Sequence, residues 1–136
     1  MEVVIALAIA ALAFTGVLYG YVTTSDQAEW CSYSLAAHSL AMQGVEQARC
    51  AKWDPQAWPV VDELGLTNFI QVAPLDVPVS GGNPVLATNY VSVTSVSTVP
   101  ALRQLRADCV WFLPSRGQRT RGPFTNSVIT LRAPDQ

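Results

Sequence analysis

The stretch that decides the fold is Glu2-Val3-Val4-Ile5-Ala6-Leu7-Ala8-Ile9-Ala10-Ala11-Leu12-Ala13-Phe14-Thr15-Gly16-Val17-Leu18-Tyr19-Gly20-Tyr21-Val22. Residues 3–25 carry no charge, and one carboxylate stands directly in front of them. A helix rises about 1.5 Å per residue, so twenty such residues span roughly 30 Å, the thickness of a bilayer's hydrocarbon core. A domain of this size has no use for such a helix unless something outside it buries the side chains. A cleaved secretory signal fits poorly, because the basic n-region is absent and the flanking residue is an acid. A plain single-span anchor needs only length and hydrophobicity, and it leaves Glu2 unexplained. Lysine or arginine is the usual flank, and a carboxylate near lipid is costly without a partner.

The segment Met1-Glu2-Val3-Val4-Ile5-Ala6-Leu7-Ala8-Ile9 resembles the N-terminal motif of type IV pilins and type II secretion pseudopilins. In that family a basic leader precedes a phenylalanine, three mostly apolar residues, a glutamate and a long apolar helix. The family glutamate is the fifth mature residue and here it is the second. This chain departs from the pattern by lacking the leader and the first three residues, either because they were trimmed or not represented or because the start was assigned differently, which leaves the processing site and the methylated N-terminal amine open. A looser likeness to minor pilin-like proteins runs through Ala28-Glu29-Trp30, Ser34-Leu35-Ala36-Ala37, Glu46-Gln47-Ala48-Arg49 and Lys52-Trp53-Asp54. The resemblance implies that Glu2 sets assembly register by pairing with the N-terminal amine of a neighbouring subunit. The physical rationale is that a buried carboxylate must find a cation or be neutralised. A solvated acid at a chain end is the alternative.

Working outward, no proline falls between Met1 and Asp54, and 27–53 is rich in good helix formers. On a 100° wheel Trp30, Cys31, Ala37, Ala41, Met42, Val45 and Ala48 share one arc. Ser32, Ser39, Gln43, Glu46 and Cys50 lie opposite, which predicts a helix with one face to cover. Arg49 and Lys52 suit a helix C-terminus, and Asp54-Pro55 stops it. The expectation is one helix over about 1–53. Gly16 and Gly20 form a G-x-x-x-G, a spacing that lets two helices approach closely in a membrane, at about 1 kcal/mol of helix stability each. They predict a loosened or extended backbone somewhere in 13–22, with continuous helix as the alternative.

After Pro55 the chain changes to proline-punctuated, strand-like runs. The run 69–79 reads as an edge strand or extended loop; 86–99 is β-branched and near-alternating; 102–113 and 124–132 follow. In the third run Leu105, Ala107, Cys109 and Trp111 share one face. Short links favour an antiparallel sheet of three or four strands. The fold class is α+β: a long N-terminal helix packed by its second half on a small sheet, which is also what the pilin resemblance implies. The expected division is an apolar arm, 1–25, and a head, 26–136, made of half-helix 26–53, loop 54–68 and sheet 69–136.

At 136 residues this is one domain plus an arm. Only 13% of residues are charged and the net charge is −2, which makes no case for nucleic acid as an obligate partner. Cys31 and Cys50 lie 19 positions apart, roughly 28 Å along one helix, too far for a bridge that needs Cα atoms within about 7 Å. Cys31 is the better-placed partner for Cys109. Cys50 is a free or interchain thiol, and three free thiols is the alternative reading. No C-x-x-C occurs and His38 has no ligand spacing, so no metal or other cofactor is expected. No nucleophile motif, H-E-x-x-H or P-loop appears, Asp62-Glu63 reads as a turn, and the chain is not expected to be an enzyme. The segment Arg116-Gly117-Gln118-Arg119-Thr120-Arg121 reads as a solvated hairpin loop. Its sharper reading makes Arg116, Arg119 and Arg121 contacts for an anion: DNA, lipopolysaccharide or an acidic neighbouring subunit.

The resemblance implies a structural subunit of an extracellular filament that polymerises through bundled N-terminal helices. Its partners would be further copies of itself, inner-membrane lipid before assembly, and a pilus or secretion assembly machinery. Its location would be the bacterial inner membrane and then the cell surface or periplasm. A minor pseudopilin is the alternative, and a single-span membrane-anchored binding domain a second one.

Overall fold

The computed structural model describes residues 1–65, 68–77, 84–113 and 121–135. One helix, α1 (Glu2–Cys50), is followed by six strands: β1 (Trp53–Asp54), β2 (Val61–Asp62), β3 (Asn68–Pro74), β4 (Leu86–Thr98), β5 (Ala101–Leu113) and β6 (Arg121–Arg132). β1 and β2 pair as a two-stranded antiparallel ladder, and β3-β4-β5-β6 form a four-stranded antiparallel sheet in chain order. The layout is α+β. The chain divides into two units, Met1–Ser32 and Tyr33–Gln136.

In the first unit α1 is helical without interruption, so the loosened backbone expected over 13–22 does not occur. The reason lies in its neighbours. Both glycines sit inside a helix that continues for several turns in both directions, so two losses of about 1 kcal/mol are outweighed by propagation. Thr15 Oγ1 donates to Ala11 O at 2.8 Å, and Thr24 Oγ1 to Gly20 O at 2.8 Å. Thr23 Oγ1 reaches both Tyr19 O and Gly20 O at 2.9 Å. These hydroxyls spend their hydrogen bonds on the helix itself, which lets them sit in an apolar stretch without an unsatisfied donor.

In the second unit the other end of α1 lies on the inner face of the sheet. Strand alternation sends Ala87, Asn89, Val91 and Val93 of β4 and Leu105, Ala107, Cys109, Trp111 and Leu113 of β5 inward, and all are buried. The helix presents Tyr33, Ala37, Ala41, Gly44, Val45 and Ala48 to them. These small residues bring the helix axis close to the sheet. At Gly44 a Cβ would stand 2.5 Å from Asn89 Nδ2 and 2.9 Å from Val91 Cγ2, so only glycine fits. Tyr33 stacks on Trp111 with centroids 6.0 Å apart, and Phe124 of β6 meets the same indole at 5.0 Å.

The buried stripe is rotated from the one expected. Cys31, Trp30 and Met42 are exposed, while Tyr33 and Gly44 are buried in their stead. Tyr33 sets the facing because its ring fills the space beside Trp111. Cys31, about 200° round the helix from Tyr33, is exposed. The expected Cys31–Cys109 bridge is absent: all three cysteines are free, with Cys31 and Cys50 exposed and Cys109 enclosed. The helix also ends at Cys50 and not at Trp53, because Trp53 enters β1. The segment expected as loop 54–68 contains the short ladder.

Candidate functional site

Two features of the molecule invite a functional reading: the bare first unit, and the polar knot that closes the second.

Every large apolar residue named in the first unit is exposed, from Val3 and Ile5 through Leu12 and Phe14 to Leu18 and Tyr21. The helix holds a window long and apolar enough to cross a membrane, and none of that window is buried. Glu2 is the first residue of α1 and the acid of its first turn, where a negative charge is favoured by the helix dipole. At Gly16 and Gly20 an added Cβ would meet nothing within 4 Å, so none of the described residues requires glycine at either place. The chain thus leaves unused a smooth groove on one side of an apolar helix.

The knot lies where α1 ends. Asp62 Oδ1 and Oδ2 each accept a hydrogen bond from Arg103 at 2.6 Å, and Arg103 lies 4.3 Å over the Trp53 ring. Gly65, at φ 54°, turns its N–H onto Asp62 Oδ1 at 2.9 Å. That left-handed conformation suits glycine. The Arg103 fork holds the Asp62 carboxyl below the usual carboxylate range and raises the guanidinium in return. On the other side Arg132 Nη1 donates to Ala48 O at 3.2 Å, satisfying an orphan carbonyl of the last helical turn. Arg132 also pairs with Asp135 at 2.9 Å. Asp135 clasps Trp53 twice: its N–H donates to Trp53 O and its Oδ2 accepts from Trp53 N, each at 2.8 Å. The Trp53 N–H, then Arg132, hold the Asp135 carboxyl below its ordinary value. Lys52 and Glu63 make a similar reciprocal pair at 3.0 and 2.8 Å. Beside the knot an open groove of about 890 Å³ is lined by Asp54, Pro55, Val99, Pro100 and Pro134.

The acids of the knot serve the fold. Asp62 is tied to Arg103, and Glu63 to the backbone of Lys52. Cys109 is enclosed, and burial pushes its thiol up to about 11, which removes it as a nucleophile at neutral pH. His38 is exposed on α1. Among the described residues no group of three His, Cys, Asp or Glu side chains could hold a metal ion. Arg121 opens β6 opposite Leu113 and is exposed. Arg116 and Arg119 lie outside the described residues.

Sequence reasoning missed the polar ties between helix and sheet. Asn89 Nδ2 donates to Leu40 O at 3.0 Å, and its Oδ1 is buried with no hydrogen-bond partner. Trp111 Nε1 donates to Asn126 Oδ1 at 2.8 Å, and Asn126 Nδ2 donates to Ser34 Oγ at 3.1 Å. One signal was available: Asn89 falls in phase with Ala87, Val91 and Val93, so strand alternation alone places it inward.

No family model matches the chain, and no solved structure matches it. Over 98 residues, 70% of this chain, it is 26% identical to Alpha-protein kinase 2 of Danio rerio. The chain spans 5% of that protein's length. At that identity and coverage the likeness says nothing about activity.

Proposed function

We propose that this chain is a structural subunit of a type IV pilus-like filament, polymerising through its N-terminal helix. The observation that carries the proposal is the first unit: an uninterrupted apolar helix, exposed throughout, with a single carboxylate at its start. Exposing that much apolar surface to water would cost on the order of 25 cal/mol per Å², so the helix must occupy lipid or a bundle of its own kind. The long apolar helix supports membrane anchoring at the least. Three further features favour a bundle as the final environment. Glu2 is a charge that a neighbour's cation can neutralise, Gly16 and Gly20 offer close approach that none of the described residues uses, and the threonine hydroxyls are satisfied internally.

The mechanism is a change of solvent. Lipid holds the arm first; neighbouring arms replace lipid as copies add, and Glu2 rewards the one axial stagger that brings it to a cation. The test compares wild type with Glu2→Leu in cells that produce the assembly machinery. The proposal expects equal amounts of both in the membrane fraction and sheared fibres from wild type only. Fibres from Glu2→Leu at the wild-type yield would remove the register role. A chain that stays in the membrane fraction without entering any fibre would support a single-span anchored domain instead.

A further inference from the structure

The outer face of the sheet is the largest surface in the second unit that the filament reading leaves without a role. Ile70 and Val72 of β3, Leu86 and Tyr90 of β4, Phe112 of β5, and Ile129 and Leu131 of β6 all point to it and are exposed, Ile70 at 65% and Phe112 at 46%. Together they bare the equivalent of about four whole large side chains, on the order of 700 Å² at the ~150–250 Å² that a large aromatic carries. Ile70, Val72, Leu86, Tyr90 and Phe112 lie together, on the order of 500 Å² and within the ~300–600 Å² of the largest apolar patch on a typical monomer, while Asp108, Ser127 and Arg106 set Ile129 and Leu131 apart. With the polar side chains between them, the face has the mixed character of a standard interface, to which each partner gives ~800 Å².

We infer that this face packs against the same face of a second copy of this chain. The strand register supplies the complementarity. Thr88 pairs with Val110, Tyr90 with Asp108 and Ser92 with Arg106, and carrying that register two positions past Thr88 and Val110 sets Leu86 beside Phe112. A two-fold axis parallel to the strands, midway between β4 and β5, sets each outward residue of β4 over its own β5 register partner in the other copy. Leu86 then meets the second copy's Phe112, and Thr88 its Val110. The Tyr90 hydroxyl faces the second copy's Asp108. That carboxylate already accepts from Arg106 and Ser127, and its two oxygens have room for one more donor. Each contact occurs twice, as an isologous interface requires. Two twisted sheets stacked about 10 Å apart, with strands within about 30° of parallel, are an ordinary packing. The arrangement stands independently of the filament reading.

The test is cross-linking in membranes of cells producing the full chain, with Cys31→Ser and Cys50→Ser as background. Two chains of different tag length, one carrying Leu86→Cys and one Phe112→Cys, are co-expressed and oxidised with copper phenanthroline. The inference expects the mixed dimer to exceed either like-with-like dimer at least tenfold, and Tyr90→Lys in both chains to cut it at least fivefold with circular dichroism unchanged. A mixed dimer at only the twofold statistical excess, its absence, or its survival in Tyr90→Lys would overturn the inference. Loss of fibres in the Glu2 experiment leaves this readout untouched, so the two readings fail separately.

Discussion

Gly44→Ala is the sharpest single perturbation of the interface between helix and sheet. The added methyl would lie 2.5 Å from Asn89 Nδ2 and 2.9 Å from Val91 Cγ2. An exposed amide would swing aside, but Asn89 is fully enclosed and its Nδ2 is committed to Leu40 O at 3.0 Å. Turning it breaks that bond in a residue whose Oδ1 is already unpaired, at about 1–3 kcal/mol for the orphaned donor. Overpacking against Val91 adds about 1–3 kcal/mol. Replacing glycine by alanine in a helix returns about 1 kcal/mol. The net expectation is a loss of about 3 kcal/mol, taking mid-range values of these terms. For a unit of this size that lowers Tm by roughly 10–20 °C. The assay is thermal and urea denaturation of the full chain in detergent, followed by fluorescence of the buried Trp53 and Trp111. Asn89→Ala in the same background should make room for the methyl and reduce the cost of Gly44→Ala by at least ~1 kcal/mol. A Gly44→Ala variant within about 0.5 kcal/mol of wild type, or no coupling to Asn89→Ala, would refute the packing argument.

Asp62→Asn leaves the mostly buried Arg103 without its carboxylate and should cost about 1–2 kcal/mol in urea denaturation. Asp62, Asp108 and Asp135 all have carboxyls held below their ordinary 3.8. At Asp108 burial pushes upward, but hydrogen bonds from Ser127 and Arg106 outweigh it. Depressed carboxyls bind protons more readily in the unfolded chain, so their stabilisation is complete above that value and drains away as pH falls through it and below. Urea midpoints should therefore be flat from pH 7 to about 5 and decline below about 4. Native protein should react with two equivalents of a thiol reagent at neutral pH, at Cys31 and Cys50, and denatured protein with three, because Cys109 is enclosed. Gly16→Leu with Gly20→Leu should leave the urea midpoint of the second unit unchanged and abolish fibres.

The α+β layout was legible because its signals are long. Forty-nine residues without proline, followed by four strand-like runs between prolines, leave little choice of elements. The inward face of β5 was legible by alternation alone, and Leu105, Ala107, Cys109 and Trp111 are all buried. The rotation of the helix was not, because Ala-rich sequence carries a weak stripe and one aromatic contact, Tyr33 on Trp111, decides the facing. Continuity through Gly16 and Gly20 is not legible in per-residue propensity, because it comes from the cooperativity of a long helix. The knot was illegible because Asp62 and Arg103 stand 41 positions apart, and Ala48 and Arg132 stand 84 apart. Pairings at such separations are set by the sheet register and by no local pattern.

The filament account rests on where the first unit ends up. Fibres sheared from cells producing the full chain, imaged by negative stain and identified by mass spectrometry, test it most directly when combined with amide exchange of the intact fibre. The account predicts that this chain is a main component of the fibres and that amides of residues 3–22 are protected within them in the absence of lipid. Fibres that lack the chain, or a chain recovered wholly in detergent extracts of the membrane, would contradict it.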